Sequence, residues 1–265
     1  MKILNHPNIQ KINYRASLFG FDMIKFLVSI KPFIKFRSDL RAFKLLLESD
    51  GLTKKDDFGI EILPYLHDSG DQAGVFGGHY FYQDLITAQL IYKSNPLVHV
   101  DIGSRIDGFI THLCTFRKVK VIDIRALESP LDNLEFMQAD AMNLQIFEDN
   151  SFESISSLHA IEHFGLGRYG DPLNPKGHIQ ALQEIQRVLK PGGIFYLSFP
   201  AGIPKIIFND KRIVDPSLPE KVMDKCDLLN FIAIPGVGKP IYGMNPRDIL
   251  NNDGFCGLWI FKKKE

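Results

Sequence analysis

Residues 99–110, "HVDIGSRIDGFI", decide the fold. A short apolar run meets Gly103, and a helix-like apolar pattern resumes after Gly108. That order reads as a buried strand, a tight turn and a helix, which is how a nucleotide-type cofactor site commonly opens. The usual run of glycines is missing. Only Gly103 and Gly108 are present, and Arg105 stands where a small residue is expected. The stretch is therefore either a cofactor cradle of altered build or an ordinary strand–helix turn.

Outward from it, strands and helices alternate. Upstream, "FYQDLITAQLIYK" (81–93) places Phe81, Leu85, Ala88 and Ile91 at helical spacing, and Asn95-Pro96 ends it. "LVHVDI" (97–102), "VKVIDI" (119–124), "LEFMQ" (134–138), "FESISSL" (152–158) and "IFYLSFP" (194–200) read as strands. "GFITHLCTF" (108–116) and "GHIQALQEIQRVL" (177–189) read as helices, the second with Ile179, Leu182, Ile185 and Val188 on one face and "KPGG" as its stop. "DLLNFIAI" (227–234) and "CGLWIFKK" (256–263) add two strands. Such alternation predicts an α/β fold with a doubly wound, mostly parallel sheet.

Composition narrows the class. Apolar residues make up 45% and charged residues 23% of the 265-residue chain, which suits a folded globular protein rather than a disordered one. Lys+Arg and Asp+Glu balance at 31 each, so no overall field favours nucleic acid. Cys114, Cys226 and Cys256 are odd in number and far apart; they form neither a disulfide framework nor a zinc spacing, and read as free thiols. Neither a signal peptide nor a bilayer-length apolar run is read, so a cytoplasmic location is expected.

Residues 1–60 look helical and basic. Phe19, Phe21, Phe26, Leu27, Phe33, Phe36 and Phe43 alternate with Lys25, Lys31, Lys35, Arg37, Arg41 and Lys44. Peripheral membrane contact is one reading. The favoured one is an appendage that packs its phenylalanines on the main domain, with Pro32 breaking the helix. Residues 1–78 are assigned to this extension and 79–265 to the main domain.

Three polar positions at successive strand ends define a candidate cofactor site. Gly103 permits a close backbone approach. Gly108 opens a helix whose N–H groups favour a negative group. Asp123 lies about 20 residues on, where an acid commonly holds ribose hydroxyls. Asp140 and Ala141 follow the third strand and suit an adenine edge. A dinucleotide needs tight glycine spacing for its pyrophosphate, and Arg105 and Asp107 crowd that place. S-adenosylmethionine has no phosphate; Arg105 can pair with its carboxylate and Asp101 can accept from its ammonium group.

"HVDIGSRIDGF", "VIDIR", "QADAMNL", "SISSLHAIEHFGLGRYGDP" and "LKPGGIFYLSFP" stand in the order found in class I S-adenosylmethionine-dependent methyltransferases, and residues 79–200 resemble that family. More narrowly, "GGHYFYQDLITAQLIY" with "LHAIEHFGLGRYGDP" resembles a bacterial domain-of-unknown-function group associated with surface-polysaccharide biosynthesis. The resemblance implies a Rossmann-like, seven-stranded sheet with one antiparallel strand. It also implies S-adenosyl-L-methionine as cofactor, with contacts at Gly103, Asp123, Asp140 and Ala141. The turn departs from the common D-x-G-x-G-x-G pattern at Ser104 and Arg105.

Residues just past the fourth strand face the reacting methyl in this fold: Leu158, His159, Glu162 and His163. A histidine suits a general base near neutral pH, with His159 ranked first and His163 second. The bland alternative has both histidines packing beneath the site. "HAIEH" also spells H-x-x-E-H, but "FGLGRYGDPLNP" follows at once and leaves no long helix or third ligand, so no metal is expected. Arg168, Tyr169 and Asp171 lie in a glycine-bearing loop (164–178) that reads either as a lid over a polar substrate or as a rigid crossover. Tyr80 and Gln83 are candidates over the methionine end. The expected partner is a small-molecule or glycan acceptor, a sugar or nucleotide-sugar by the resemblance, and no nucleic acid. The "NPPY"-type tetrapeptide of amino-methylating nucleic-acid enzymes is absent, and "SLHA" stands in its place. The rivals are a non-catalytic binding module and a nicotinamide-dependent oxidoreductase.

Overall fold

The computed structural model describes residues 6–49, 61–68, 74, 77–128, 131–252 and 254–265. The chain divides into two compact units, Met1–Val75 and Phe76–Glu265. In the first, α1 (Pro7–Ser17) begins at Pro7, with the His6 ring accepting from the Asn8 N–H at 3.3 Å. Helix α2 (Met23–Ser49) runs through Pro32 without a break, contrary to the reading of that residue as a stop. A proline removes one ladder hydrogen bond, and here the helix continues on both sides of that loss. None of the residues of α2 is buried. Among the described residues, no helix is long and apolar enough to cross a membrane.

The second unit is a Rossmann-like sheet with helices around it. Its elements are α3 (Gly78–Ser94), β1 (Val100–Ile102), a π-turn (Ile106–Ile110) leading into α4 (Thr111–Cys114), β2 (Val119–Asp123), β3 (Leu134–Gln138) and β4 (Phe152–Leu158). A 3-10 turn (Ile161–His163), α5 (Gly177–Val188) and β5 (Leu189–Ala201) follow. A two-stranded antiparallel ribbon, β6 (Lys205–Ile207) and β7 (Lys211–Ile213), precedes α6 (Leu218–Val222), β8 (Cys226–Pro235), β9 (Ile241–Tyr242) and β10 (Phe255–Lys263). The sheet order is β3-β2-β1-β4-β5-β10-β8-β9. Strands β1 to β5 pair in parallel, and β10 is antiparallel to both of its neighbours. The expected seven strands are all present, and the two-residue β9 extends the edge as an eighth. The strand order reverses between β1 and β4, which makes their carboxyl ends the natural ligand crevice.

Two apolar layers flank the sheet. Side chains alternate along each strand with period two. Phe195, Leu197 and Phe199 of β5 and Trp259 and Phe261 of β10 join one layer with Leu182, Ile185 and Val188 of α5. Tyr196, Leu258 and Ile260 join the other with Ala88 and Ile91 of α3 and Phe109, Ile110 and Leu113. Helix α3 corrects the expected stripe. Phe81 and Leu85 are each 37% exposed, while Gln83, Asp84 and Thr87 are buried beside Ala88 and Ile91. Two of these polar side chains turn inward because partners exist there. Ser198 donates to Gln83 Oε1 at 2.5 Å, and Gln83 donates to Asp84 at 3.1 Å. "KPGG" also behaves differently from a simple stop. Leu189 opposes Phe152 and Ile194 opposes Ser154, so Lys190–Gly193 loops out of β5 instead of preceding it.

A buried polar network ties β1 to β4. Asp101 is fully buried; its carboxyl accepts from Ser104 N–H (3.0 Å), Ser104 Oγ (2.6 Å) and Ser156 Oγ (2.6 Å). Ser156 and Ser154 bracket the buried ring of His99 at 2.9 and 2.8 Å. Burial pushes the Asp101 carboxyl up to about 7 against the lowering effect of its serine partners, and pushes His99 down to about 3. A carboxyl with a folded pKa above its ordinary 3.8 lends stability that is complete below that value and is lost as pH rises through about 7. Wild type should therefore lose about 1–3 kcal/mol more than Asp101→Asn between about pH 5 and pH 8, read from urea unfolding at both pH values. Equal losses in the two proteins would mean that Asp101 does not titrate in this window.

Candidate functional site

One cleft opens at the carboxyl ends of β1, β2, β3 and β4. Its walls include Gly103, Asp123, Arg125, Asp140, Ala141, His159 and His163. The lining also takes in Tyr80, Arg105, Tyr169 and Asp171. Each strand delivers its part for a local reason. Gly103 leaves β1 at φ +71°, and a Cβ there would lie 3.0 Å from the Ala160 Cβ, so glycine alone allows this path without strain. Asp123 ends β2, where its carboxylate accepts from the Arg125 backbone N–H (2.8 Å) and pairs with the Arg125 guanidinium at 3.0 and 2.8 Å. Asp140 turns the chain after β3 by accepting from the Met142 N–H at 2.8 Å, and Ala141 lies buried beside it.

Not every expected residue reaches the cleft. Asp101 and Ser104 lie beneath it and hold the turn; Ser104 Oγ also accepts from the Leu158 N–H at 2.9 Å. Their hydrogen-bonding capacity is directed into the interior, so Asp101 is not placed to accept from a ligand ammonium group. Leu158 is core, Gln83 is bonded to Ser198, and Glu162 lies buried under the two histidines. Arg168 turns aside to pair with Asp210. Gly108 does not open a helix. The turn begins at Ile106, and Gly108 packs inside it, where a Cβ would come within 2.7 Å of Asp84 Oδ2. Burial raises the Asp84 carboxyl to about 6. Arg105 reaches the cleft rim over the Tyr80 ring (5.0 Å), with its guanidinium bonded to Asp107.

The loop 164–178 is closed on itself. Asp171 accepts from the N–H groups of Gly165 (2.6 Å), Gly167 (3.2 Å) and Tyr169 (3.1 Å). Arg212 donates to the carbonyls of Phe164 (2.6 Å), Glu162 (3.3 Å) and Asn174 (3.3 Å) from the far side. These bonds favour the rigid crossover over the lid. The Tyr169 ring stays at the cleft, with the Arg125 guanidinium 4.4 Å and that of Arg168 5.2 Å from its centroid. Arg125 was legible only as the residue two past Asp123, on the same side of the strand end.

The histidines differ. His163 Nδ1 sits 2.5 Å from the Asp210 carbonyl oxygen, which can only accept, so Nδ1 carries the hydrogen and Nε2 keeps its lone pair. Glu162 Oε1 is 3.9 Å from that Nε2 and 2.7 Å from His159 Nδ1. His159 has φ +49° and stacks between His79 (5.5 Å) and Tyr80 (4.8 Å). Burial acts to lower its pKa, but Cys256 and Glu162 beside it prevail and raise it well above the ordinary value.

Known proteins share parts of this chain. A family described as "Caenorhabditis protein of unknown function, DUF268" matches residues 115–218. The ubiquinone/menaquinone biosynthesis C-methyltransferase UbiE of Brucella canis is 36% identical over 121 residues, covering 45% of this chain and 35% of that protein. A demethylmenaquinone methyltransferase of Staphylococcus epidermidis is 41% identical over 64 residues, 24% of this chain and 22% of that one. The chain thus spans about a third or less of the length of these curated relatives. Among solved structures, the cyclase SpnF superposes with a TM-score of 0.53 at 13% identity, over 72% of this chain and 88% of that one. That likeness establishes the fold, and a fold hosts more than one chemistry.

The Asp171 clamp is open to test. Asp171→Ala frees three backbone donors and should destabilise the protein by about 1–3 kcal/mol. Amide exchange at Gly165, Gly167 and Tyr169 should quicken at the same time. Unchanged exchange there would show that the loop is held by other contacts.

Proposed function

We propose that this chain is an S-adenosylmethionine-dependent methyltransferase that modifies a hydroxyl or similar polar group of a sugar or nucleotide-sugar. The observation that supports this most is the meeting of Gly103, Asp123 and Asp140–Ala141 in one cleft at three successive strand ends. The residues fit the cofactor. Asp123, with 15% of its side chain exposed, has lone pairs beyond those used by Arg125 and would accept from the ribose hydroxyls. Ala141, Ile122 and Met142 offer apolar contact for a base, and the rim guanidinium of Arg105 would pair with a carboxylate. The open backbone at Gly103 allows close approach, and no glycine-rich pyrophosphate cradle is present at this turn to favour a dinucleotide.

When bound, the cofactor supplies an electrophilic sulfonium methyl group. The chain's own task is to align an acceptor and take its proton as the O–C bond forms and the S–C bond breaks. In this reading His163 ranks ahead of His159 as the base. His163 lines the cleft with its Nδ1 held by the Asp210 carbonyl, which leaves Nε2 to take the acceptor's proton, and Glu162 Oε1 lies 3.9 Å from that nitrogen. His159 is engaged by Glu162 and turned toward His79 and Cys256. The Tyr169 ring, flanked by Arg125 and Arg168, suits a polar acceptor with phosphate or hydroxyl groups. The sugar assignment follows from the resemblance to the polysaccharide-associated group.

Methyl-labelled S-adenosylmethionine, offered with a panel of uridine- and guanosine-diphosphate sugars, tests this reading. Label should pass to at least one acceptor, and His163→Gln should slow transfer by about 100-fold or more while cofactor binding is kept. Cofactor binding without transfer to any acceptor would favour a binding module instead.

A further inference from the structure

Three side chains from distant parts of the second unit meet beside the cleft. His79 lies in the first turn of α3, His159 follows β4, and Cys256 is the second residue of β10. A ring nitrogen of each histidine and the Cys256 sulfur all lie within 4.8 Å of one another. One nitrogen of each ring is already engaged. His79 Nε2 donates to the Gly254 carbonyl at 3.0 Å, and His159 Nδ1 donates to Glu162 at 2.7 Å. In the neutral rings that a metal ion would bind, those bonds leave the lone pairs on His79 Nδ1 and His159 Nε2. His159 Nε2 is buried with no hydrogen-bond partner. A buried polar atom without a partner is costly and calls for an explanation. The left-handed backbone at His159 (φ +49°) adds a second cost, of the kind that a binding role can sustain.

We propose that His79, His159 and Cys256 bind a divalent transition-metal ion of the zinc class, with Glu162 and the Gly254 carbonyl as the outer groups that orient the two imidazoles. Two imidazoles and one thiolate form a borderline-soft donor set that suits zinc. Three protein ligands leave a fourth position open. Ligating histidines typically donate their second N–H to a carboxylate or a backbone carbonyl, and both forms occur here. Bond lengths of about 2.0–2.3 Å set tetrahedral donor atoms roughly 3.3–3.8 Å apart, so a spread within 4.8 Å asks only for a contraction of about 1 Å. Binding converts the Cys256 thiol to a thiolate and releases its proton to solvent. The H-x-x-E-H pattern thus gives one ligand and its carboxylate partner, but not the histidine pair: His163 points to Asp210. This inference does not depend on methyl transfer.

Titration of the metal-free full chain with Co2+ tests the site. One equivalent should bind and produce a sulfur-to-cobalt charge-transfer band, and Zn2+ should displace it. Cys256→Ser should abolish that band. His79→Ala, at a partly exposed helix start, should weaken Co2+ binding at least ~10-fold with an unchanged circular dichroism spectrum. No charge-transfer band in wild type, a band that survives Cys256→Ser, or an affinity indifferent to His79→Ala in the folded variant would each overturn the proposal.

Discussion

The carboxyl of Asp101 is the interaction on which the second unit depends. It lies in the middle of β1, fully buried, and it gathers the Ser104 N–H, the Ser104 hydroxyl and the Ser156 hydroxyl. Those bonds pin the Gly103–Ser104 turn to β4 at the point where the strand order reverses. Ser104 then accepts from the Leu158 N–H, so the same group fixes where β4 ends and where His159 begins. The cleft has its shape because two strand ends are locked together beneath it. A buried polar network of this kind is strong only when every member is satisfied, and here the His99 ring completes it through Ser156 and Ser154.

A second buried polar layer lies under the other wall. Gln83, Asp84, Ser198 and Glu162 are buried; Ser198 donates to Gln83, Gln83 donates to Asp84, and His159 is bonded to Glu162. Glu162 is the hinge of this layer. It holds His159 by a hydrogen bond and stands close enough to His163 to stabilise a positive charge there. Two histidines four residues apart thereby have different surroundings: His163 lines the cleft, and His159 faces a histidine and a thiol.

Local signals in the chain were read well. β3 and β4 fall at the expected residues, and α5 ends one residue early. Short β-rich runs bounded by polar turns leave little freedom there. Gly103, Asp123, Asp140 and Ala141 were legible because strand ends in a parallel sheet converge by construction. What failed depends on contacts between distant residues. Asp101 read as a ligand because its serine partner Ser156 lies 55 residues away. The first half of the buried face of α3 was misassigned, at Phe81 and Leu85, because Gln83 is satisfied by Ser198, 115 residues on; Ala88 and Ile91 are buried as expected. Cys256 beside His159 has no local signature at all; only the antiparallel placement of β10 brings it there.

The most direct measurement is isothermal calorimetry of the full chain with S-adenosylhomocysteine, on wild type and on Asp123→Ala. Micromolar binding by wild type, weakened by about 1–3 kcal/mol in the variant, is the expected result, because the substitution leaves ribose hydroxyls unpaired. No binding by a folded wild-type protein would contradict the cofactor site and reduce "HVDIGSRIDGFI" to an ordinary strand–helix turn.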